Sequence, residues 1–234
     1  MAQNSLFPKL KVQEPSSLPK ISANFAITAD GKINRSHTES SVFTSSEDLQ
    51  RLLQLRKSAD AILVGRRTLE CDQMSLTVPS LPLNQQPVRI IATKSGEIDF
   101  SHKVFHTEGG RILIVSEQEV DTSEIPRNVE VVRSPIVEFC RNARNYGIES
   151  IHCEGGALLM ASLVDRQLLS ALFLTLSPKV VFSGNESLSL IGRSMRGSSQ
   201  KWRLVHCEKN RHDEFFLSYE VADAMNPCWG KAEV

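Results

Sequence analysis

The sequence has no excess of charge of either sign and no long run of apolar residues. Its 234 residues carry 27 Lys and Arg against 27 Asp and Glu, so the formal net charge is zero. A neutral chain has no overall attraction to nucleic acid or to an anionic membrane. No apolar run approaches the ~20 residues of a spanning helix, and the N-terminal segment lacks the apolar centre of a secretory signal. We therefore expect a cytoplasmic protein without nucleic-acid or membrane partners.

Cysteine is scarce and is not arranged in pairs. The five cysteines include no C-x-x-C pair, which argues against a zinc ribbon and a disulfide framework and predicts reduced thiols. G-x-S-x-G and H-E-x-x-H are absent as well. His152-x-Glu154 matches the first half of a zinc deaminase signature, but Pro227-Cys228 lacks the second cysteine that would complete it. We expect no metal site.

The composition of the chain predicts a globular protein. A hydrophobic share of 41% in a chain of this length is enough for one compact domain with its own core. Residues 1–19 are rich in Pro and Ser with little periodicity, which indicates an extended lead-in. We expect one domain over residues 20–222, followed by a tail over residues 223–234.

Short β-rich runs alternate with segments of helical periodicity. Strands are predicted over residues 21–28, 60–65, 88–93, 111–116, 129–132, 150–153 and 171–177. Helices are predicted over about residues 46–57, 136–146 and 157–169. Residues 202–208 and 213–221 predict an antiparallel hairpin. The order indicates an α/β fold with a mostly parallel sheet, helices on both faces and a C-terminal antiparallel hairpin.

Two places at predicted strand ends suit a phosphate group. Gly65 closes one strand and residues 66–68 add two cations and a hydroxyl, whereas Gly155 and Gly156 lead from a strand into a helix. Neither matches G-x-G-x-x-G, and paired glycines after a strand are often only a turn. The same E-G-G triplet recurs at residues 108–110, but it precedes a strand and so lacks a helix N-terminus. Only the later triplet is a candidate anion site.

Four stretches in order resemble the reductase domain of bifunctional riboflavin biosynthesis proteins, the C-terminal half of a deaminase-reductase. They are residues 24–32 (NFAITADGK), residues 44–45 with Arg56, residues 60–76 (DAILVGRRTLECDQMSL) and residues 154–156 (EGG). The resemblance implies a dihydrofolate-reductase-like fold and a homodimer. It also implies NADPH-dependent reduction of a ribosylamino-pyrimidinone 5′-phosphate to its ribitylamino form.

The resemblance further implies a set of contacts with each ligand. The expected contacts with NADPH are Thr44, Thr68, Asp72, Gly155 and Gly156. The expected contacts with the substrate are Ser40, Arg56, Leu76 and Glu154. Their positions at strand ends add Gly65 and Lys94 to the cofactor set. Lys94 is our preferred partner for the 2′-phosphate that distinguishes NADPH from NADH, with Arg66 and Arg67 as alternatives.

Lys32 and Glu154 are the candidate catalytic residues. A hydride acceptor such as an imine has positive character that a carboxylate at Glu154 can orient, while Lys32 and Arg56 can hold hydroxyls or a phosphate. Structural roles remain open for several of the candidates. Lys32 can be an ordinary turn residue, Thr44 a helix cap, Arg56 a cation favoured at a helix C-terminus and Asp72 a solvated loop carboxylate.

The chain departs from the family pattern mainly on the substrate side. Pro79 follows Leu-Thr-Val where the family has an Arg that contacts substrate, and Val42 stands where it has a Trp. The D-P of the family's D-x-P-x-L run is replaced by Gln73-Met74. Two alternatives therefore stay open: a reductase of the same fold with another substrate, and a nucleotide-binding protein without turnover.

Overall fold

A computed structural model describes residues 18–33, 43–180 and 201–222 of the chain. The predicted tail, nearly all of the predicted lead-in, and the positions of Ser40 and Val42 lie outside these residues. Within them, nine strands form one sheet in the order β5-β4-β3-β2-β6-β1-β7-β9-β8. The strands are β1 (Lys20–Thr28), β2 (Ala61–Gly65), β3 (Val88–Thr93), β4 (Ile112–Ser116), β5 (Val129–Arg133), β6 (Ser150–Cys153), β7 (Ala171–Ser177), β8 (Trp202–Lys209) and β9 (Phe215–Val221).

The pairing of the strands confirms the predicted sheet. Every pairing among β1 to β7 is parallel. The pairs β7–β9 and β8–β9 are antiparallel, which is the predicted C-terminal hairpin placed at one edge. Because β6 lies between β2 and β1, three strands that are distant in sequence end side by side at one edge of the sheet.

The described helices include two short ones that the sequence did not indicate, and the helix predicted over residues 157–169 ends at Asp165. The described helices are α1 (Ser46–Lys57), α2 (Arg66–Asp72), α3 (Lys103–His106), α4 (Ile136–Arg141) and α5 (Ala157–Asp165), with 3₁₀ turns at Leu83–Gln85 and Ala143–Tyr146. The helix predicted over residues 136–146 is interrupted at Asn142, whose side chain donates to the Glu138 carbonyl. α2 and α3 have seven and four residues, too few for a periodic signal. None of the helices in the described segments is long and apolar enough to cross a bilayer.

The sheet is covered on both faces, as its uninterrupted apolar strands predict. Ala61 and Leu63 of β2 pack in one cluster with residues of α4 and α5. Ile62 and Val64 point the other way, into a second cluster with Leu69 of α2. A parallel strand with both faces buried needs apolar residues at consecutive positions. Both clusters hold β2, and Ile151 and Cys153 of β6 belong to the first of them. These two strands carry the candidate site.

The first helix is attached to the hairpin by polar contacts. Ser45 is the N-cap of α1, and its side chain accepts from the Asp48 N–H, so Ser45 and not Thr44 caps the helix. The buried Glu214 carboxylate accepts from the N–H and hydroxyl of Ser45 at 2.7 and 2.5 Å. Further along α1, Arg51 donates to the carbonyl oxygens of Leu174 and Leu217. These contacts fix α1 over the β7–β9 half of the sheet.

Candidate active site at the carboxyl edge of the sheet

Two glycine turns that are far apart in sequence form one structure at the carboxyl ends of β2 and β6. The Gly65 N–H donates to the Gly155 carbonyl at 2.8 Å, and the Glu154 N–H donates to the Leu63 carbonyl at 2.9 Å. Ligands of open α/β sheets bind outside the carboxyl ends of the strands. The two candidate phosphate sites are therefore neighbouring parts of a single candidate site.

The turn between β6 and α5 is packed too tightly for side chains. A Cβ at Gly156 would lie 2.8 Å from Thr68 Oγ1, and one at Gly155 would lie 3.3 Å from the Phe25 ring. Gly155 also has a φ of +109°, which strongly disfavours other residues, and its peptide bond to Gly156 is cis. A Cβ at Gly65 would make only ordinary contacts, 3.6 Å from the Gly156 nitrogen and 3.8 Å from the Gly155 carbonyl oxygen, so Gly65 contributes through its N–H, which is bonded to Gly155.

The N-terminus of α5 fits the diphosphate of a nicotinamide cofactor. Gly156 is the N-cap of α5. Because glycine has no side chain, it makes no capping hydrogen bond to the N–H groups of the first turn. Such N–H groups favour an anion, and the missing side chain lets it approach the backbone. The other E-G-G triplet differs: a Cβ at Gly110 would lie 2.0 Å from the Pro87 carbonyl oxygen, so this turn is packed against protein.

Arg56 and Glu154 form a buried ion pair beside this turn. Arg56 Nε and Nη2 donate to the two carboxylate oxygens of Glu154 at 2.6 and 2.7 Å. The side chains are 9% and 3% exposed, respectively. Burial lowers the pKa of Arg56, but the charge of Glu154 and their hydrogen bonds outweigh it, so the pKa is raised. The sequence predicted two separate substrate contacts; the structure brings both into one pair.

His152 lies in β6, two residues before Glu154. The sequence did not identify it as part of the candidate active site. Its Nδ1 lies 2.9 Å from the Ser22 hydroxyl, and its Nε2 is buried without a partner among the described residues. Burial lowers the pKa of His152 to about 4, so the ring is neutral near pH 7. Its position in β6, two residues before Glu154, was the available signal.

The three cations predicted near the cofactor phosphates differ in whether they form ion pairs within the protein. Arg66 pairs with Glu70 at 2.7 Å and lies 3.6 Å from Glu97. Arg67 and Lys94 are exposed. Lys94 follows β3, which pairs with β2 so that Ala92 lies beside Gly65, and Lys94 is therefore close to the glycine turns along the edge. Of the three cations considered, the arrangement favours Lys94 and Arg67 for a phosphate.

The remaining predicted residues are spread around this edge. Thr68 and Asp72 lie in α2 directly after β2, and Thr44 is half-buried just before the N-cap of α1. Lys32 closes the turn after β1, where its N–H donates to the Thr28 hydroxyl at 2.9 Å. The Leu76 side chain is 0% exposed and belongs to the apolar cluster below α2. A substrate contact by this residue would therefore use its main chain.

The sequence matches the RibD C-terminal domain family over residues 19–214. The chain belongs to this family. It is 29% identical over 182 residues to the 2,5-diamino-6-ribosylamino-4(3H)-pyrimidinone 5′-phosphate reductase of Methanothermobacter thermautotrophicus, covering 74% of this chain and 83% of that protein. The matched family confirms the resemblance drawn from the four sequence stretches.

Solved structures confirm the fold. The deaminase and 5-amino-6-(5-phosphoribosylamino)uracil reductase of Thermotoga maritima superposes with a TM-score of 0.71 at 24% identity, covering 88% of this chain and 57% of that one. The chain thus spans little more than half of that bifunctional protein. A dihydrofolate reductase of Enterococcus faecalis, solved with NADP(H), superposes with a TM-score of 0.51 at 15% identity, covering 87% and 97% of the two chains. The predicted dihydrofolate-reductase-like fold is therefore correct.

Proposed function

We propose that this protein is an NADPH-dependent reductase of riboflavin biosynthesis that converts a ribosylamino-pyrimidinone 5′-phosphate to its ribitylamino form. The family and the reductase of Methanothermobacter support the reaction class. The single observation that carries the proposal is the turn at Gly155 and Gly156, which opens the N-terminus of α5 beside Thr68 and Gly65. Such a cradle suits a diphosphate at the carboxyl edge of the sheet.

The geometry of this turn and the family resemblance together support an assignment of the cofactor side. The turn at Gly155 and Gly156 would hold the diphosphate, with Thr68 beside it and Thr44 and Asp72 as further contacts. Lys94 would pair with the 2′-phosphate, because an exposed ammonium at a strand end can meet a phosphate without breaking another contact. NADPH, when bound, supplies the hydride.

The family resemblance supports a substrate side made of Ser40, Arg56, Leu76 and Glu154, together with Lys32. The Glu154 carboxylate is held by Arg56, and a fixed carboxylate can orient an acceptor carbon with imine character. Lys32, in the turn after β1, can donate to the sugar hydroxyls or to the phosphate. Lys32 and Glu154 are thus the proposed catalytic residues.

One observation supports a second candidate, a reductase of the same fold with another substrate. Pro79 replaces the family's arginine, and the guanidinium of Arg56 is already paired with Glu154. The described part of the substrate side therefore offers fewer cations for a phosphate than the family pattern implies. A substrate without a phosphate would not need them.

We also propose that the protein is a cytoplasmic homodimer. The family resemblance implies a homodimer. β8 supports this proposal because it is an edge strand on which Leu204 and Val205 are exposed. An edge strand with unpaired backbone groups and apolar side chains is suited to association with a second copy. Sedimentation of the wild type and of Leu204→Lys tests this proposal: a monomer in the wild type would contradict it.

Oxidation of NADPH in the presence of the pyrimidinone substrate tests the function. We expect oxidation that requires the substrate, prefers NADPH over NADH, and falls strongly in Glu154→Gln. The matched control is Glu108→Gln, which changes the exposed first residue of the other E-G-G triplet and should leave the rate unchanged. Oxidation only with an unphosphorylated substrate would favour the second candidate, and tight NADPH binding without any oxidation would favour a nucleotide-binding protein.

A further inference from the structure

Both peptide groups that flank Thr44 are held by buried side chains. The Ser177 hydroxyl donates to the Phe43 carbonyl at 2.9 Å. The Glu214 carboxylate accepts from the Ser45 N–H at 2.7 Å. Ser177 and Glu214 are 1% and 3% exposed, respectively. Because this carbonyl and this N–H belong to the peptide groups before and after Thr44, the backbone of that one residue is fixed from both sides.

The two contacts come from parts of the chain that are distant from Thr44 in sequence. Ser177 is the last residue of β7, and Glu214 directly precedes β9. The Glu214 carboxylate also accepts from the Asn210 amide at 2.8 Å, and the Asn210 side-chain oxygen accepts from the Glu214 N–H at 3.0 Å. The turn between β8 and β9 therefore fixes Glu214 in the position from which it holds Ser45.

Thr44 lies at the carboxyl edge of the sheet, which is also the edge that carries the candidate active site. Ser177 pairs with Thr28 at the ends of β7 and β1. β1 lies beside β6, which leads into the turn at Gly155 and Gly156. The hydroxyl that caps α1 is that of Ser45, so the capping role left open for Thr44 does not apply. Thr44 is half-buried at this edge.

We propose that Ser177 and Glu214 are positioning residues, which hold Thr44 in the orientation in which its hydroxyl contacts the nicotinamide cofactor. The inference rests on the proposed function, in which Thr44 is a cofactor contact. A residue that is ordered before binding adds no cost of ordering when the ligand binds, so preorganisation strengthens binding. Loss of either contact should therefore act through Thr44, on the affinity for NADPH.

Arg51 offers a matched control on the same helix. It donates to the Leu174 and Leu217 carbonyls at 3.1 and 3.0 Å. These bonds attach α1 to β7 and β9, the same part of the sheet, but they do not involve the peptide groups beside Thr44. Arg51→Met should therefore loosen α1 without releasing Thr44.

Fluorescence titration with NADPH in the absence of substrate tests the proposal, with urea unfolding of each variant measured beside it. Ser177→Ala and Glu214→Ala should each raise Kd by ~3- to 10-fold, the size expected for a lost hydrogen bond. Thr44→Val, which removes the hydroxyl and keeps the shape, should raise Kd by at least ~3-fold. In the Thr44→Val background the other two changes should raise Kd by less than ~2-fold further, because they act through that hydroxyl.

Control variants separate positioning from a general loss of structure. Arg51→Met should change Kd by less than ~2-fold, even where it lowers the free energy of unfolding as much as Glu214→Ala does. Glu214→Gln keeps an oxygen acceptor for the Ser45 N–H, so it should bind NADPH more tightly than Glu214→Ala. Ser177→Ala removes a single hydroxyl and carries the test if Glu214→Ala does not fold.

Three results would overturn the proposal alone. The first is an unchanged Kd in Thr44→Val, or in both Ser177→Ala and Glu214→Ala. The second is multiplication of these effects with that of Thr44→Val, which would show that the residues act separately. The third is an equal rise of Kd in Arg51→Met, which would show a general loosening of α1. If the wild type does not bind NADPH, the proposed function fails and the inference fails with it.

Discussion

His152 should make the stability of the protein depend on pH below neutrality. The ring is 1% exposed, and burial lowers its pKa from 6.5 to about 4. Glu154 opposes this decrease, whereas the positive charges of Arg56 and Arg51 add to it. The unfolded chain therefore takes up a proton at a higher pH than the folded protein does. Stability is present above the unfolded pKa and is lost as the pH falls towards the folded one.

The magnitude follows from the two pKa values. Each pKa unit corresponds to about 1.4 kcal/mol, so the contribution of His152 amounts to about 3 kcal/mol at most. Most of it should be lost between about pH 6.5 and about pH 4. This is a large part of the 5–15 kcal/mol, roughly, that stabilises a typical domain. The effect should therefore be measurable by denaturant unfolding.

The assay compares the wild type with His152→Asn by urea unfolding at about pH 7 and about pH 4.5. Asn is uncharged and can still bond the Ser22 hydroxyl. The variant should be less stable than the wild type near neutrality but should lose about 2 kcal/mol less on acidification. Contributions of distant carboxylates are common to both proteins and cancel in the difference. Equal losses of stability would refute the assignment of His152 as a buried neutral ring.

Three further predictions concern the cofactor and the core. Gly156→Val should weaken NADPH binding by ~10-fold or more, because its Cβ would lie 2.8 Å from Thr68 Oγ1; unchanged affinity in a fluorescence titration would contradict the site. Lys94→Ala combined with Arg67→Ala should reduce the preference for NADPH over NADH by ~10- to 100-fold, and an unchanged ratio of kcat/KM would contradict the 2′-phosphate assignment. Arg89→Met should lower the free energy of unfolding by about 2–4 kcal/mol, because this fully buried side chain donates to four backbone carbonyls at 2.7–3.4 Å. An unchanged free energy of unfolding, measured by calorimetry, would contradict this role.

The sequence by itself determined the local elements and the class of the fold. α1 was predicted at about Ser46–Lys57 because the capping residues of the Thr44-Ser45-Ser46 run, first-turn acids and a helical period act within a few residues. β2 was predicted from a short run of consecutive apolar residues closed by Gly65, because the run is long enough for a buried strand and too short for a core helix. The order of strand, paired glycines and helix around Gly155 and Gly156 likewise predicted the candidate anion site from the sequence alone.

Only the tertiary structure decided which of these elements meet. Arg56 and Glu154 are 98 positions apart, and no local pattern states that they pair. The bond between Gly65 and Gly155 and the burial of His152 depend in the same way on β6 lying between β2 and β1. Strand order is set by the packing of the whole sheet, because it depends on which faces can be buried together. The residue types and their spacing therefore predicted the chemistry of the site, whereas the partner of each charged group was set by the assembled sheet.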